Sequence, residues 1–356
     1  MTSNYFNNLN EEVKEYFKIL SPEFPNWLID YIETPEMKRI DGISIFCGTD
    51  YTKLFDNKFW YSNLDHSIGV ALIIWNFTKD KKQTLSGLFH DIATPTFKHC
   101  IDFMNGDSEH QESTESLTED IIRNSKEITN LLKRDNIKIE EVADYHIYPI
   151  ADNDTPQLSA DRFEYTFANG LAFFRIWNLE KIKEIYNNIC IIKNENNIDE
   201  LGFKDIKICE EYINLISELW PKWISNEDRV TLQFFADIVK SMNIKGYLSI
   251  NDLYTYSEKE IINRILTCKD SYIKENFIKF QNSTSVFGSE TKVANKYCIT
   301  TKGKKRYIVP LVNYNGKAVR ISQISESAKI AIDNYLNIKQ IPYVGLNFDF
   351  VPYELK

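Results

Sequence analysis

The chain has 356 residues, of which 43% are hydrophobic and 13% aromatic, so it can bury one large core or two smaller ones. Its 12 glycines and 10 prolines are too few for a loop-dominated or many-turned β fold, and we expect a mainly α architecture. The net charge of −9 disfavours binding to a nucleic-acid polymer, because such binding draws its affinity from neutralised phosphates.

Helical signals dominate the part of the chain before residue 282. Apolar periodicity predicts helices within residues 10–45, where Thr34 is a candidate N-cap and Pro35 a first-turn residue. The stretches "DHSIGVALIIWNF" and "TLSGLFHDI" follow as buried helices. Further helices are predicted near residues 111–134, 158–188, 205–223, 228–242 and 258–280.

The pattern changes near residue 282. Two β-prone runs flank Asn315-Gly316, which is the strongest short signal for a hairpin. A short helix, "SAKIAIDNYL", and an extended end follow. We therefore predict a helical domain over residues 1–281 and a smaller α+β segment over residues 282–356.

Cysteine spacing and hydropathy bear on the cellular compartment. The six cysteines are scattered without a CxxC pair, so we expect neither a disulfide framework nor a structural zinc site. The first residues lack a basic-then-apolar signal pattern. The longest strongly apolar run, "IGVALIIW", has eight residues and is too short to span a bilayer. We expect a cytoplasmic protein without membrane partners.

Histidines are concentrated in one region. Three of the five lie in "LFHDIATPTFKHCIDFMNGDSEH", and His66 lies just upstream on the core-facing side of its predicted helix. His90 and Asp91 are adjacent, and Asp161 starts an otherwise apolar helix. A buried carboxylate is costly there unless a cation neutralises it. Taken singly, each histidine is more often a core residue and Asp161 an N-cap; taken together, they indicate a metal site.

The two histidines and two aspartates form a mixed set of nitrogen and oxygen donors. Such a set suits Mn²⁺, Fe²⁺, Mg²⁺ or Ni²⁺ in six-coordinate geometry better than a closed tetrahedral zinc site. Four protein ligands leave positions for water and a phosphate oxygen, and a divalent ion can act as a Lewis acid toward phosphorus. We therefore predict one divalent metal ion as cofactor.

These motifs resemble those of the HD-domain metal-dependent phosphohydrolases. His66, His90-Asp91 and Asp161 follow the H…HD…D order of that superfamily. The segments "TPEMKRI", "NLDHSIGV", "HDIATPTFKHCID", "EHQE" and "DRFEY" further resemble, in order, its deoxynucleoside triphosphate triphosphohydrolase branch, over roughly residues 28–170. The tail from "KKRYIVPLV" onward is similar with less specificity. The resemblance implies an HD-domain helical bundle, to which we add the small α+β C-terminal segment containing a β-hairpin.

The resemblance also implies roles for individual residues. The implied metal ligands are His66, His90, Asp91 and Asp161. The implied catalytic residues are His110, which protonates the leaving group or holds the phosphates, and Asp102 and Glu112, which orient the imidazoles. The implied substrate-binding residues are His99, Arg162, Tyr165 and Arg39. The competing interpretations are a solvated surface position for His110 and a structural role for Arg39.

Three positions depart from the branch. Asn63 and Thr94 replace an arginine and a histidine, and Asp41 replaces a basic residue. Each change removes a cation or donor that would face a triphosphate, and one buried charge-assisted contact contributes about 1.5–3 kcal/mol. Triphosphate binding is therefore expected to weaken unless other residues compensate.

The predicted function is metal-dependent hydrolysis of a phosphate ester or anhydride of a small-molecule nucleotide, with cleavage of a dNTP to nucleoside and triphosphate as the case implied by the resemblance. The alternatives are an HD-type 5′-nucleotidase, a phosphodiesterase, or a nucleotide-binding regulatory protein with weak or no turnover. Assembly into a homo-oligomer is implied by the same resemblance.

Overall fold

The computed structural model describes residues 4–111 and 117–354. Its helices are α1 Asn4–Asn8, α2 Glu11–Leu20, α3 Leu28–Ile32, α4 Pro35–Asp41, α5 Asn63–Thr78, α6 Lys81–Phe89, α7 Cys100–Met104, α8 Thr118–Asn124, α9 Lys126–Arg134, α10 Ala160–Ala168, α11 Leu179–Asn187, α12 Ile206–Leu219, α13 Asn226–Ile244, α14 Glu258–Thr267, α15 Ser271–Gln281, α16 Ile321–Ile324 and α17 Glu326–Leu336. Its strands are β1 Ile189–Lys193, β2 Asp199–Phe203, β3 Phe287–Ser289, β4 Cys298–Ile299, β5 Leu311–Tyr314, β6 Lys317–Arg320 and β7 Tyr343–Gly345.

Helix α5 lies at the centre of the first core. It is buried on every side from Asn63 to Ile74, as expected for a helix whose apolar residues surround its axis. Ser62 and Asp65 form a capping box, in which each side chain accepts a hydrogen bond from the other residue's backbone N–H. Helices α2, α4, α6 and α10 pack around α5. Since α5 and α6 carry the predicted histidine ligands, this packing fixes the site.

A second core lies between α13, α14 and α15. It includes Phe97 and Cys100, which flank the start of α7, and reaches Val344 of β7. Strand β7 lies between β3 and β4 in a three-stranded antiparallel sheet. The segment after the His90-Asp91 doublet is therefore packed against the C-terminal part of the chain.

A four-stranded sheet has the order β1-β2-β5-β6. The β1–β2 and β5–β6 pairs are antiparallel, and β2 pairs with β5 in parallel. The turn between β5 and β6 is Asn315-Gly316, where both residues have positive φ (52° and 77°), as a type I′ hairpin requires. The hairpin prediction is confirmed.

The mainly α prediction with a small α+β part is also confirmed, although two long predicted helices are interrupted. The stretch 158–188 forms α10, a π turn at Asn169–Phe173 and then α11, because Trp177 packs over Gly170 and Arg175 takes a left-handed backbone conformation. The stretch 258–280 forms α14 and α15, since Asp270 caps the second helix.

The segment predicted from residue 282 onward does not pack separately. Its strand β5 pairs with β2, and its Ile308 and Ile332 belong to the first core. Residues on both sides of position 282 therefore contribute to both cores, and the boundary predicted there marks a change in sequence pattern. Among the described residues, no helix has the length and apolar character needed to cross a bilayer.

Candidate metal centre and its cavity

Three of the predicted ligands converge, and the fourth, Asp91, lies beside both imidazoles. Nε2 of His66 lies 3.1 Å from Nε2 of His90 and 3.1 Å from Oδ1 of Asp161. Oδ2 of Asp91 lies 3.7 Å from Nε2 of His66 and 3.5 Å from Nε2 of His90. Within the described ranges, the donors of His66, His90 and Asp161 all lie within 4.8 Å of one another. The structure thus brings together residues that are up to 95 positions apart in sequence.

Helix ends place these side chains. His66 is in the first turns of α5, and Asp161 follows the Ser159 N-cap of α10. His90 is the C-cap of α6, so the helix predicted over "TLSGLFHDI" ends one residue before the doublet. Because Asp91 lies just beyond that helix, His90 and Asp91 can both turn toward the same point.

A second set of hydrogen bonds fixes both imidazoles. Nδ1 of His66 lies 2.5 Å from Oε2 of Glu164, and Nδ1 of His90 donates to the carbonyl oxygen of Gly87 at 2.7 Å. Oε1 of the buried Glu164 accepts hydrogen bonds from Tyr61 (2.6 Å) and Tyr16 (3.2 Å). With Nδ1 engaged in this way, each Nε2 points toward the shared centre, which is the usual arrangement around metal-binding histidines.

The electrostatics favour a cation between the donors. Burial acts to lower the pKa of His66, but the Glu164 carboxylate and the Asp161 hydrogen bond outweigh it and raise the pKa to about 9. Burial acts to raise the pKa of Asp91, but Lys98 and the two imidazoles hold it well below its usual range. The pKa of Asp161 is lowered in the same way by His66 and His90, against burial. Both carboxylates are ionised and compensated by positive charge.

The donor set fits a metal ion. Two donors that each lie about 2.1 Å from one ion are about 3.0 Å apart at a right angle and about 3.4 Å apart at a tetrahedral angle. The observed separations between the histidine nitrogens and the aspartate oxygens are 3.1 to 3.7 Å. Two imidazoles and two carboxylates are also the mixed donors that Mn²⁺, Fe²⁺ and related ions accept.

Lys98 is a site residue that the sequence did not indicate. Its Nζ lies 2.7 Å from Oδ2 of Asp91, and its side chain is 15% exposed. Phe97 and Lys98 both have positive φ (63° and 47°), a conformation that is rare for residues with side chains and is concentrated at functional sites. This turn directs Lys98 into the site, where its ammonium group pairs with the carboxylate of Asp91.

The metal centre opens into a cavity of about 660 Å³. Its basic lining residues include Lys98, Arg162 and the run Lys304–Arg306. An aromatic part of the lining contains Phe173 and Tyr165, and Tyr165 packs edge-to-face on Trp223 at 5.4 Å. The volume lies in the range of small-molecule sites, about 300–1,000 Å³. One cavity therefore offers both charged and aromatic surfaces next to the four donors.

His99 and Asp102 lie beside this centre as a pair. Nδ1 of His99 is 2.9 Å from Oδ2 of Asp102, which is fully buried. Nε2 of His99 faces Arg306, whose Nη2 is 3.1 Å away. The orienting role expected for Asp102 therefore has a matching contact, whereas the arginine was not expected.

The other predicted substrate-binding residues have different surroundings. Tyr165 lines the cavity, and burial raises its pKa to about 12. Arg162 also lines it, but its guanidinium is engaged by Asn153 Oδ1 at 2.6 Å and by Asp152 at 3.3 Å. Arg39 lies outside the cavity lining and donates to the carbonyl oxygens of Ile92 and Thr94, both at 2.8 Å. The structure therefore gives Arg39 the structural role, in which it braces the loop after the doublet.

His110 does not reach the cavity lining. Its side chain is 81% exposed, and its Nδ1 lies 3.3 Å from Asp107. This is the surface position named above as the competing interpretation. Glu112, the third predicted catalytic residue, lies outside the described residues.

The three departures from the family pattern also lie outside the lining. Asn63 is buried, with Nδ2 at 3.4 Å from the carbonyl oxygen of Asp91, and Thr94 is buried in the loop that Arg39 braces. Asp41 ends α4 in an exposed position. The cations that do line the cavity include Lys98, Arg162 and the C-terminal run Lys304–Arg306.

Similar proteins were found by sequence, although no family model matches the chain. The protein YdhJ of Bacillus subtilis, whose function is uncharacterised, is 21% identical over 304 residues, or 85% of this chain and 89% of YdhJ. The metal-dependent phosphohydrolase cns2 of Cordyceps militaris is 22% identical over 152 residues, or 42% of each chain.

Two solved structures share the fold. A phosphohydrolase from Bacteroides thetaiotaomicron superimposes with a TM-score of 0.64 at 13% identity, covering 92% of this chain and 97% of the other. A hypothetical protein from Aquifex aeolicus gives 0.58 at 14% identity, covering 92% and 93%. The fold is thus that of a protein named a phosphohydrolase. The shared fold and the partial relative cns2 together support an assignment to an HD-like superfamily of metal-dependent phosphohydrolases.

Proposed function

We propose that this chain is a metal-dependent phosphohydrolase that acts on a phosphate ester or anhydride of a nucleotide. The observation that carries the proposal is that donor atoms of His66, His90 and Asp161 lie 3.1–3.6 Å apart, with Oδ2 of Asp91 3.5–3.7 Å from both imidazoles, at a cavity lined by cationic and aromatic side chains. The relative cns2, named a metal-dependent phosphohydrolase, adds support.

The protein's own groups prepare the site for a divalent ion, which when bound would supply Lewis acidity toward phosphorus. Glu164 and the Gly87 carbonyl hold the two imidazoles with Nε2 toward the centre. Lys98 holds the Asp91 carboxylate and adds a positive charge at the edge of the cavity. Such prearranged charges stabilise phosphoryl oxygens without reorganisation during the reaction.

The cavity lining supports a nucleotide as substrate. Tyr165, Trp223 and Phe173 offer aromatic faces on which a base can stack, and Arg306 offers a guanidinium that can donate to phosphate. A dNTP cleaved at its α-phosphate, a nucleoside monophosphate and a phosphodiester all combine these two features. We favour the triphosphate, because Lys98 and Arg306 replace cations that the family pattern places elsewhere.

The position of His110 favours one second candidate, a nucleotide-binding regulator with weak turnover. The histidine expected to serve the leaving group is 81% exposed and absent from the cavity lining. A protein that kept the ligands and the cavity without that group would bind a nucleotide and hydrolyse it slowly.

Product analysis separates these functions. The protein would be incubated with Mn²⁺, and separately with Mg²⁺, and with dNTPs, NTPs, nucleoside monophosphates and cyclic dinucleotides. Release of intact tripolyphosphate from a dNTP is the expected result, and orthophosphate from monophosphates alone would assign a nucleotidase. Binding without turnover would assign the regulator. The absence of both binding and turnover would refute the proposal.

A further inference from the structure

The C-terminal part of the chain brings an arginine to the metal-proximal side of the cavity. Nη2 of Arg306 lies 3.1 Å from Nε2 of His99 and donates a hydrogen bond to Oε1 of Gln111. His99 and Arg306 are 207 positions apart in sequence. Both side chains line the cavity that contains His90 and Asp91.

The chemistry of His99 fixes the direction of this contact. Asp102 accepts the Nδ1 proton of His99 at 2.9 Å, so Nε2 carries the lone pair. A guanidinium can only donate, and it therefore pairs with this nitrogen as donor. Burial lowers the pKa of His99 to about 4, although Asp102 acts in the opposite direction, and the charge of Arg306 adds to the lowering. His99 thus remains a neutral acceptor near neutral pH.

The backbone beside Arg306 is anchored at several points. The Gly303 N–H donates to Oε1 of Gln340 at 2.8 Å, and Nε2 of Gln340 donates to the Gly303 carbonyl at 2.9 Å. Nζ of Lys305 donates to the carbonyl oxygen of Leu336, the last residue of α17, and to that of Ile338 at 2.8 Å. The Arg306 N–H donates to the hydroxyl of Tyr335 at 3.2 Å. These contacts hold the arginine in place before a ligand arrives.

We propose that Arg306 binds a phosphate group of the substrate, and that His99 and Gln111 are positioning residues for its guanidinium. Among the described residues, the hydrogen bonds that this guanidinium donates come from Nη2, so its Nε–H and Nη1–H groups can serve as charged donors to phosphate oxygens. This inference rests on the proposed function, and it makes Arg306 a substitute for the cations absent at the three departing positions.

The acidic residue Asp228 lies near Arg306, and the relation between the two is consistent with phosphate binding by Arg306. Asp228 lines the same cavity; burial raises its pKa to about 8, and the nearby charge of Arg306 acts to lower it. In the described part of the chain, the side-chain partners of the Arg306 guanidinium are His99 and Gln111, so a direct carboxylate contact does not neutralise it. Arg306 therefore keeps its charge for an incoming anion.

The test is the affinity for inorganic pyrophosphate, measured by calorimetry on the Mn²⁺-loaded protein. Arg306→Gln should weaken binding roughly 10- to 100-fold, the range for a lost charge-assisted contact. Arg306→Lys should give an intermediate loss, since lysine keeps the charge without the planar fork. Lys302→Gln is the matched control, because Lys302 is exposed, lies just before the run Lys304–Arg306 and is not in the cavity lining.

A double-mutant cycle tests the positioning role of His99. If His99 acts through Arg306, then His99→Ala should weaken pyrophosphate binding in the parent and change it less than about twofold in the Arg306→Gln background. Equal losses in both backgrounds would show that His99 contacts phosphate independently and would overturn that part of the proposal.

The two proposals fail in different ways. Loss of pyrophosphate affinity in Arg306→Gln with unchanged Mn²⁺ content supports the role of Arg306 even if no nucleotide is hydrolysed. Equal affinity in the parent, Arg306→Gln and Lys302→Gln, or no binding by the parent, would overturn the role of Arg306 while leaving hydrolysis to be judged by its products.

Discussion

Glu164 illustrates how much one buried residue contributes to the site. It is fully buried, contacts Nδ1 of His66 and accepts hydrogen bonds from two tyrosines. A carboxylate behind a metal-binding imidazole fixes the tautomer and raises the basicity of the ring. The proposed metal site therefore depends on a residue outside the set of proposed ligands.

Replacing Glu164 with Gln should lower the affinity for Mn²⁺ about 10- to 100-fold, the usual effect of changing such a partner. The substitution keeps the shape and removes the charge. Tyr16→Phe is the matched control, because it removes one hydrogen bond to the same carboxylate and leaves its charge. Calorimetric titration with Mn²⁺ measures both variants, and an unchanged affinity in Glu164→Gln would contradict the assigned role.

At this scale the sequence predicts the proximity of the four proposed ligands better than it predicts their surroundings. His66, His90, Asp91 and Asp161 are found through the order of their motifs, and the structure brings them together. Glu164 could have been suggested by its spacing, since it lies three residues after Asp161 on one helix face. Arg306 could not, because its approach to His99 depends on tertiary packing over the whole chain.

Helices α5 and α10 must approach closely for Glu164 to reach His66. A Cβ atom at Gly69 of α5 would lie 2.6 Å from Oε1 of Glu164, which is closer than real contacts allow. Glycine inside a helix normally costs about 1 kcal/mol relative to alanine. The loss is offset here by the contact that glycine permits.

Gly69→Ala therefore tests the close approach. Helix propensity alone would stabilise the protein by about 1 kcal/mol, whereas the clash with Glu164 should destabilise it by about 1–3 kcal/mol. Denaturant unfolding gives the sign, and Mn²⁺ affinity should fall as well because Glu164 is displaced. A variant more stable than the parent with unchanged affinity would show that the helices have room to adjust.

Helix α14 is linked to the site region through Glu258. Its buried Oε1 accepts hydrogen bonds from the backbone N–H groups of Ser44 and Phe97, both at 3.2 Å. Burial raises the pKa of the Glu258 carboxyl well above its usual range, with a smaller contribution from Asp50. The folded protein therefore retains a proton that the unfolded chain releases near pH 4.5, the ordinary value.

This difference gives stability a defined pH dependence. Above the ordinary pKa, only the folded state retains the proton. The contribution of Glu258 to the free energy of unfolding is therefore fully present at low pH. It decreases by at most about 1.4 kcal/mol per pH unit as pH rises toward the pKa of the folded state. Between pH 5 and pH 8, the free energy of unfolding of Glu258→Gln should therefore increase relative to that of the parent. Parallel pH curves for the two proteins would contradict a raised pKa.

Element boundaries were predicted unevenly for physical reasons. The β5–β6 hairpin was found because Asn315-Gly316 has a strong local turn preference. The β1–β2 hairpin was missed, since its turn around Asn197 lies among polar residues without glycine. The break between α10 and α11 depends on Trp177 packing over Gly170, a tertiary contact that periodicity does not report.

Over the whole molecule, folding and metal binding should be coupled. The proposed ligands come from α5, the end of α6 and α10, so the site requires the assembled first core. An unfolded chain does not hold these four donors together, and an ion that binds the folded state alone stabilises it.

Mn²⁺ at about 100 times its Kd should stabilise the parent by about 2.7 kcal/mol. Thermal unfolding with and without Mn²⁺ measures this shift in Tm. Asp91→Ala should show little shift, and Asp107→Ala, changed outside the cavity lining, should respond as the parent does. The same Mn²⁺ response in Asp91→Ala would locate the binding site elsewhere.

The most direct test of the account is anomalous diffraction from crystals of the Mn²⁺-loaded protein. The account predicts one manganese peak, within about 2.0–2.2 Å of Nε2 of His66, Nε2 of His90 and carboxylate oxygens of Asp91 and Asp161. A peak bound to other residues, or no peak between these four at saturating Mn²⁺, would contradict the account.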